Sequence, residues 1–396
     1  MRVGQTSSPQ PPLKAPATQA TAAGGTPPVA SAAKPSGLSD RARDLAGAIG
    51  GVIQGAGTFV RHLFQPSGSW HNPNLPVPAD KGGLKVMSFN VMVKTTRYDA
   101  VKRDLAKHAP DVVCLQETSE ATARRLAEEL GYHVAWHENP MHGYGDTAIL
   151  SKYPIEAAET IDLAGSFGDR FGEFWRSLKG GEVRGSALNK RHMTHATIAV
   201  GNRKIDVLSG HLTLNGLQQN TMQVDQIARL SQGYERQGHS VLVAADWNTN
   251  MAIRGDGRAD AKGAWDSATD TNAEFRDRHP GRGVGHQGNA ENLAALDRLR
   301  GGLNDFWDAP NRTVLVDGTL MTPEQALAEL QSGKVDPRSD RHAALVRAAD
   351  GSTLMGSSKR FDNVLASKDL RFESAHIDQT TQASDHQPVV TEVRWR

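Results

Sequence analysis

The sequence is short of cross-linking residues, of net charge and of long apolar runs, and each shortage excludes something. One cysteine in 396 residues rules out an intrachain disulfide and a zinc site built from several thiolates. Cys114 lies in the apolar run "DVVCL", where a buried structural thiol is expected. Forty-five basic residues against 44 acidic ones leave a formal net charge of +1. No global field therefore advertises nucleic acid or an anionic membrane, and any basic patch must be local. The apolar run Leu45 to Val60 is shorter than the roughly 20 residues needed to span a bilayer. The N-terminal stretch also lacks the continuous apolar core of a secretory signal peptide, so export by that route is not expected.

Residues 1–39 contain no acidic and no aromatic residue but seven prolines, and are otherwise mostly Ala, Thr, Ser, Gln and Gly. Such a segment buries too little apolar surface to offset chain entropy, and a disordered leader is expected. Its composition resembles the leaders of bacterial type III secreted effectors and equally that of a plain linker, so a cytoplasmic protein and an exported effector both stay open. Residues 40–83 read as an apolar, Gly-rich helix and a linker. Gly47, Gly51 and Gly55 weaken such a helix in water by about 1 kcal/mol each, so residues 40–64 suit a partner-dependent helix, a secretion-chaperone contact or a membrane contact. The Pro/Asn/Gly-rich stretch "QPSGSWHNPNLPVPADKGG" reads as linker, which places the start of the main domain near Leu84.

From Leu84 onward short apolar runs alternate with helical segments. "LKVMSFNV", "DVVCLQE", "DTAILSKYPI", "HMTHATIAV", "RKIDVLSGHL", "SVLVAADWN", "KRFDNVLAS", "LRFESAHI" and "HQPVVTEVRW" read as strands. "RYDAVKRDLAKH", "SEATARRLAEELG" and Gln218 to Arg236 read as helices. This mixture predicts an α/β fold with a core of two packed sheets.

Asn90, Glu117, His211 and Asp246 each close an apolar strand, the place where rigid scaffolds present chemistry. One charged strand end is ordinarily a solvated loop residue; four, joined by Asn248 and by the "SDH" triplet, point to a convergent site. The motifs "SFNV", "LQET", "GHL", "ADWN", "KRFDNVLAS" and "SDHQPV", in this order, resemble the endonuclease/exonuclease/phosphatase superfamily over residues 84–396. That superfamily includes DNase I-like nucleases, apurinic endonucleases, neutral sphingomyelinases and inositol polyphosphate 5-phosphatases. The resemblance implies a four-layer α/β sandwich, two packed mixed β-sheets flanked by helices. Two departures stand out. Ala245 replaces the Gly that commonly precedes the Asp of this motif, and the long interval between Asn248 and Lys359 implies an insertion around residues 250–358, a subdomain or long loops.

The resemblance implies a hydrolase requiring Mg2+, with Mn2+ as a substitute, held in the region of Asn90, Glu117 and Asp385; hard oxygen donors suit that cation. It implies that Asp246 orients or deprotonates the attacking water. Asn248, two residues on and so on the same strand face, would hold a phosphate oxygen or tune that acid. It pairs His386 with Asp362, which fixes the imidazole's tautomer, and gives His211 a role at the leaving oxygen, with an orienting carboxylate that the sequence does not identify.

The substrate reading rests on the segment Gly165 to His195, which interleaves Phe167, Phe171, Phe174 and Trp175 with basic residues including Arg184, Lys190 and Arg191. Such a mixture suits nucleic acid or a lipid interface, and it suits a lid whose aromatics pack on the core. A nuclease is placed ahead of a sphingomyelinase-like phosphodiesterase. "KRFDNVL" lacks the Cys-Asp-Arg signature of inositol phosphatases, which lowers the phosphoinositide reading. A catalytically silent binding module of the same fold is the remaining alternative. A monomer is expected.

Overall fold

The computed structural model describes residues 67–92, 97–138, 146–164, 191–213, 217–252, 290–354 and 359–396. In chain order these form β1 (Ser67–Trp70), β2 (Gly83–Asn90), α1 (Tyr98–His108), β3 (Val112–Thr118), α2 (Glu120–Leu130), β4 (His133–His137), β5 (Asp146–Ser151) and β6 (Ile155–Asp162). There follow β7 (His192–Val200), β8 (Arg203–His211), α3 (Leu217–Arg236), β9 (Ser240–Asp246), α4 (Ala290–Gly302) and β10 (Asn304–Asp305), then a 3-10 turn at Phe306–Asp308. The chain ends with β11 (Arg312–Val316), β12 (Thr319–Met321), α5 (Pro323–Gln331), α6 (Asp340–Asp350), β13 (Asp362–Ala366), β14 (Leu370–Asp378) and β15 (Val389–Trp395).

The strands make two mixed sheets. One has nine strands in the order β1-β4-β5-β3-β2-β15-β14-β11-β12, the other six in the order β10-β13-β9-β8-β7-β6. Period-two alternation divides their side chains among three cores. Leu84, Val86, Val112, Cys114, Ile205, Val207, Leu242, Ala244 and Val364 meet between the sheets. Met87, Phe89, Val113 and Leu115 face Val101 and Leu105 of α1 and Leu126 of α2. Leu208, Val241, Val243 and Leu365 face Val224 and Ile227 of α3 and Leu296 and Leu299 of α4. The result is helix, sheet, sheet, helix: the four-layer α/β sandwich implied by the motifs. Helix ends follow local chemistry: Ser119 caps the α2 N-terminus through Thr122 N, and Gly131 closes it in a left-handed conformation.

Two boundaries differ from the sequence reading. Ser67–Trp70, inside the stretch read as linker, pairs antiparallel with β4, Gly68 lying opposite Trp136. Gly68 permits this contact, since a Cβ there would stand 2.6 Å from the Trp136 ring. The interval read as an insertion also differs: its described part is neither a separate subdomain nor long loops. β11 adds to β14 in parallel and β12 returns antiparallel beside it, so residues 290–354 extend the larger sheet and supply α4 to the outer layer. The leader and the Leu45 to Val60 run lie outside the described residues. Among the described residues no helix is long and apolar enough to cross a membrane.

Candidate active site

The inter-sheet faces stay apolar until the ends of the strands, then turn polar in register. Continuing the alternation by two residues takes β2 from Val86 to Ser88 and Asn90, β8 from Val207 to Ser209 and His211, and β9 from Ala244 to Asp246. Ser88, Gln116 and Ser209, all fully buried, form a polar layer over the apolar core. The Gln116 amide reaches Ser88 Oγ and Ser209 Oγ at 3.4 Å each, and Ser209 Oγ donates to Leu115 O at 3.0 Å. Above this layer the strand ends converge. Asp246 pairs in register with His211 on one side and with Asp362 on the other, while Asn90 pairs with Gln116 in the facing sheet.

Asp246 is the hub. Its Oδ1 accepts from the backbone N–H of Asn248 at 2.9 Å and its Oδ2 from Asn90 Nδ2 at 3.0 Å. Two imidazoles flank it, His211 Nε2 at 3.5 Å and His386 Nε2 at 3.8 Å from Oδ2. Burial pushes the Asp246 carboxyl well above the usual carboxylate range; the His386 imidazole opposes this and the Asp362 carboxylate adds to it.

His386 sits in the loop between β14 and β15, and its Nδ1 donates to Asp362 Oδ2 at 2.7 Å. Burial alone would lower its pKa, but the Asp362 and Asp246 carboxylates outweigh burial and hold it above the ordinary imidazole value. Asp246, Asp362 and His386 have ligand atoms all within 4.8 Å of one another, a spacing that could hold a cation. The Nδ1–Oδ2 bond accounts for most of that closeness without one.

Glu117 stands at a bulge where β3 slips register against β5, with φ at 52°, and this left-handed kink is needed to re-aim a strand residue. Asn90 Nδ2 donates to its Oε1 at 3.2 Å, and Asn90 Oδ1 accepts from Met92 N at 3.1 Å. Burial raises the Glu117 carboxyl, opposed by the Asn90 bond and by the charges of His386 and Arg191 and reinforced by Asp385. Asp385 itself is exposed, its Oδ1 accepting from Ser384 Oγ at 3.3 Å.

Two sequence expectations change here. Asn248 does not continue the β9 face: it adopts a left-handed turn with φ at 48°, its Nδ2 donates to Leu212 O at 2.8 Å, and it meets Asp246 through its backbone. Among the described residues the group beside His211 Nδ1 is Arg191, whose Nη1 lies 3.1 Å away. Arg184 and Lys190, with the aromatics between Phe167 and Trp175, lie outside the described residues. Ala245, the departure from the motif, is an ordinary strand residue paired with Gly210 and Asn363.

The site also uses residues the motifs do not contain. Thr353, fully buried, accepts at Oγ1 from the backbone N–H groups of Phe361 and Asp362, at 2.9 and 3.0 Å. Its carbonyl accepts from Gln387 N at 2.7 Å, so one residue ties both partners of the Asp362–His386 pair. It stands two positions after Gly351, the left-handed cap of α6, where a Cβ would come within 2.2 Å of the Trp307 ring.

The model of the endonuclease/exonuclease/phosphatase family matches residues 87–386, from β2 to His386. The chain belongs to this family. Members are generally hydrolases acting on phosphoester bonds. Among solved structures, the endonuclease/exonuclease/phosphatase from Bacteroides vulgatus is 14% identical, aligned over 80% of this chain and 100% of its own, with a TM-score of 0.50. That likeness is one of fold. A protein of the same description from Beutenbergia cavernae is 17% identical over 80% of this chain and 72% of its own, with a TM-score of 0.46. TDP2 of D. rerio, complexed with a single-strand DNA product, is 16% identical over 79% and 100%, also at 0.46. No curated protein sequence matches the chain.

Proposed function

We propose that this chain is a divalent-metal-dependent phosphodiesterase that cleaves nucleic acid by in-line attack of water. The observation that carries the reading is the Asp246 carboxylate, fixed on both oxygens by N–H donors and flanked by two imidazoles. That is an arrangement for directing a water at an ester and meeting the charge that forms.

The donor set fits a hard cation. Glu117 and Asp385 offer carboxylate oxygens where burial already disfavours an uncompensated charge on Glu117, and Asn90 holds the Glu117 carboxylate in place. Mg2+, or Mn2+ in its stead, would polarise a phosphoryl oxygen and neutralise developing charge. The remaining steps belong to the protein's own residues. Asp246 orients the attacking water and takes its proton. His386, steadied at Nδ1 by Asp362, presents Nε2 to the phosphate. His211 presents its Nε2 from the opposite side, toward the leaving oxygen. Asn248 tunes Asp246 through its backbone N–H and takes no direct part.

Nucleic acid is preferred as substrate because the aromatic-basic run of the sequence ends at Arg191, which lies beside His211. A lipid phosphodiester remains the second reading, for which the same aromatics would insert into a membrane surface. The deciding experiment is turnover of plasmid DNA, RNA, sphingomyelin vesicles and inositol phosphates with Mg2+ or with EDTA, beside Glu117→Gln. The expected result is cleavage of nucleic acid, abolished by EDTA and lowered at least about 100-fold by the substitution with the circular dichroism unchanged. Full activity in chelator overturns the metal reading; sphingomyelin turnover without nucleic acid cleavage overturns the substrate.

A further inference from the structure

The two imidazoles that flank Asp246 have opposite partners at their far nitrogens. His386 Nδ1 faces a carboxylate oxygen of Asp362 at 2.7 Å; His211 Nδ1 faces a guanidinium nitrogen of Arg191 at 3.1 Å. A guanidinium has five N–H donors, no acceptor, and keeps its proton throughout the range in which proteins function. In a hydrogen bond with Arg191, Nδ1 must therefore supply the lone pair. An imidazole that accepts at Nδ1 carries its single proton on Nε2, the nitrogen directed at Asp246 and Glu117.

We infer that Arg191 is a positioning residue that fixes His211 as the Nε2–H tautomer, so that this imidazole acts as a hydrogen-bond donor to a phosphoryl or leaving oxygen. The placement is built into the fold. Arg191 immediately precedes β7, its carbonyl accepts from Leu163 N at 2.9 Å, and Met193 two residues on pairs with Gly210, next to His211. A short, pinned backbone thus delivers the guanidinium to the edge of the neighbouring strand. On the other side of the ring, Nε2 stands 3.5 Å from Asp246 Oδ2 and 3.9 Å from Glu117 Oε1. Both distances are longer than a formed N–H···O bond, and a substrate oxygen entering between the two carboxylates would meet this N–H. The division of labour follows: His386, backed by an anion, suits proton transfer, whereas His211, backed by a cation, suits donation of a hydrogen bond without release of the proton.

The donor role at a phosphoryl oxygen rests on the phosphodiesterase reading, while the tautomer does not, and the experiment separates the two. Imidazole nitrogen NMR of histidine-labelled protein, at a pH above the ordinary imidazole range, is compared between wild type, Arg191→Met and Arg191→Lys, with His211→Ala to assign the signals. The expected spectrum has His211 Nδ1 as an unprotonated acceptor and Nε2 protonated in wild type, a mixture of tautomers in Arg191→Met, and partial recovery in Arg191→Lys. Turnover should show Arg191→Met lowering kcat by about 10–100-fold, the usual cost of losing a group that orients an imidazole, with little change in KM and no further loss in the His211→Ala background. Unchanged tautomers in Arg191→Met overturn the inference. So does a loss confined to KM with a shallower salt dependence, which would make Arg191 a phosphate contact. If Arg191→Met does not fold, Arg191→Lys and Arg191→Gln carry the same comparison. If wild type cleaves no phosphodiester but its tautomer still depends on Arg191, the proposed function fails and the positioning role stands.

Discussion

Asp362 and His386 join across the sandwich: the aspartate belongs to β13 of the six-stranded sheet, the histidine to the loop entering β15 of the nine-stranded sheet, and Oδ2 meets Nδ1 at 2.7 Å. The two sheets are thus registered against each other at the site by a buried acid–imidazole bond. Asp362→Asn keeps the shape but replaces an acceptor that dictates the tautomer. We expect turnover to fall by up to about 10⁴-fold, as when a triad aspartate becomes asparagine. Steady-state kinetics with a thermal melt check this; unchanged turnover would assign the carboxylate another role.

Thr353 should matter to that pair without touching it. Thr353→Val preserves shape and strips the acceptor from two buried N–H groups, each costing about 1–3 kcal/mol when unsatisfied. Urea denaturation should show the lost stability and kinetics a lower kcat, whereas Thr353→Ser should restore both. Equal behaviour of Val and Ser would remove the hydroxyl from the argument.

A second, partly buried network contributes a pH dependence to stability. Lys107 Nζ and His108 Nε2 both lie 2.7 Å from Asp378 Oδ2, and His376 Nε2 lies 3.4 Å from His108 Nδ1. Burial and the neighbouring His108 push the His376 pKa down from 6.5 to about 4. Burial would raise the Asp378 carboxyl, but its bonds to His108, Lys107 and Thr380 hold it well below the usual range. Both pKa values are lower folded than unfolded, so the unfolded chain binds more protons and stability falls as pH falls. For His376 the loss runs from 6.5 down to about 4; for Asp378 it begins only near its ordinary 3.8. Denaturant unfolding over the first window should show a shallower loss in His376→Gln than in wild type, by about 1–3 kcal/mol. Parallel curves would contradict the assignment.

The edge strand gives a truncation test. Trp70 packs beside the α1–α2 core with the Arg124 guanidinium over its ring at 5.4 Å. Removal of residues 1–66 should leave the melting temperature nearly unchanged, whereas removal of residues 1–74 takes away β1 and should lower it by about 2–5 °C. A single transition temperature for both truncations would mean that β1 contributes nothing to the sheet.

The strands that converge at the candidate site were legible because their inner residues are apolar and their last residues are not; Asn90, His211, Asp246, Asp362 and His386 lie together there. What escaped the sequence is nonlocal or masked by composition. Ser67–Trp70 looks like linker because a short edge strand needs little apolar content, and only its glycine opposite Trp136 marks it as paired. The β11–β12 hairpin did leave a signal, the Asp317-Gly318 dipeptide with both residues at positive φ, which is a strong short-range hairpin mark. Thr353 left none, and Arg191 was legible only as one of a run of basic residues: neither the buried acceptor nor the guanidinium beside His211 is visible until distant strands meet.

The polar layer of Ser88, Gln116 and Ser209 has one more consequence, for how this scaffold can change. Because the reactive groups occupy the same parity as the apolar residues beneath them, removing a single residue within β2, β8 or β9 would invert that strand. It would exchange the strand's two buried faces and turn Asn90, His211 or Asp246 toward the helices. Length can vary without this effect in the connections between strands, where parity is not counted. The reactive groups are thereby locked to the spacing of the strands that carry them.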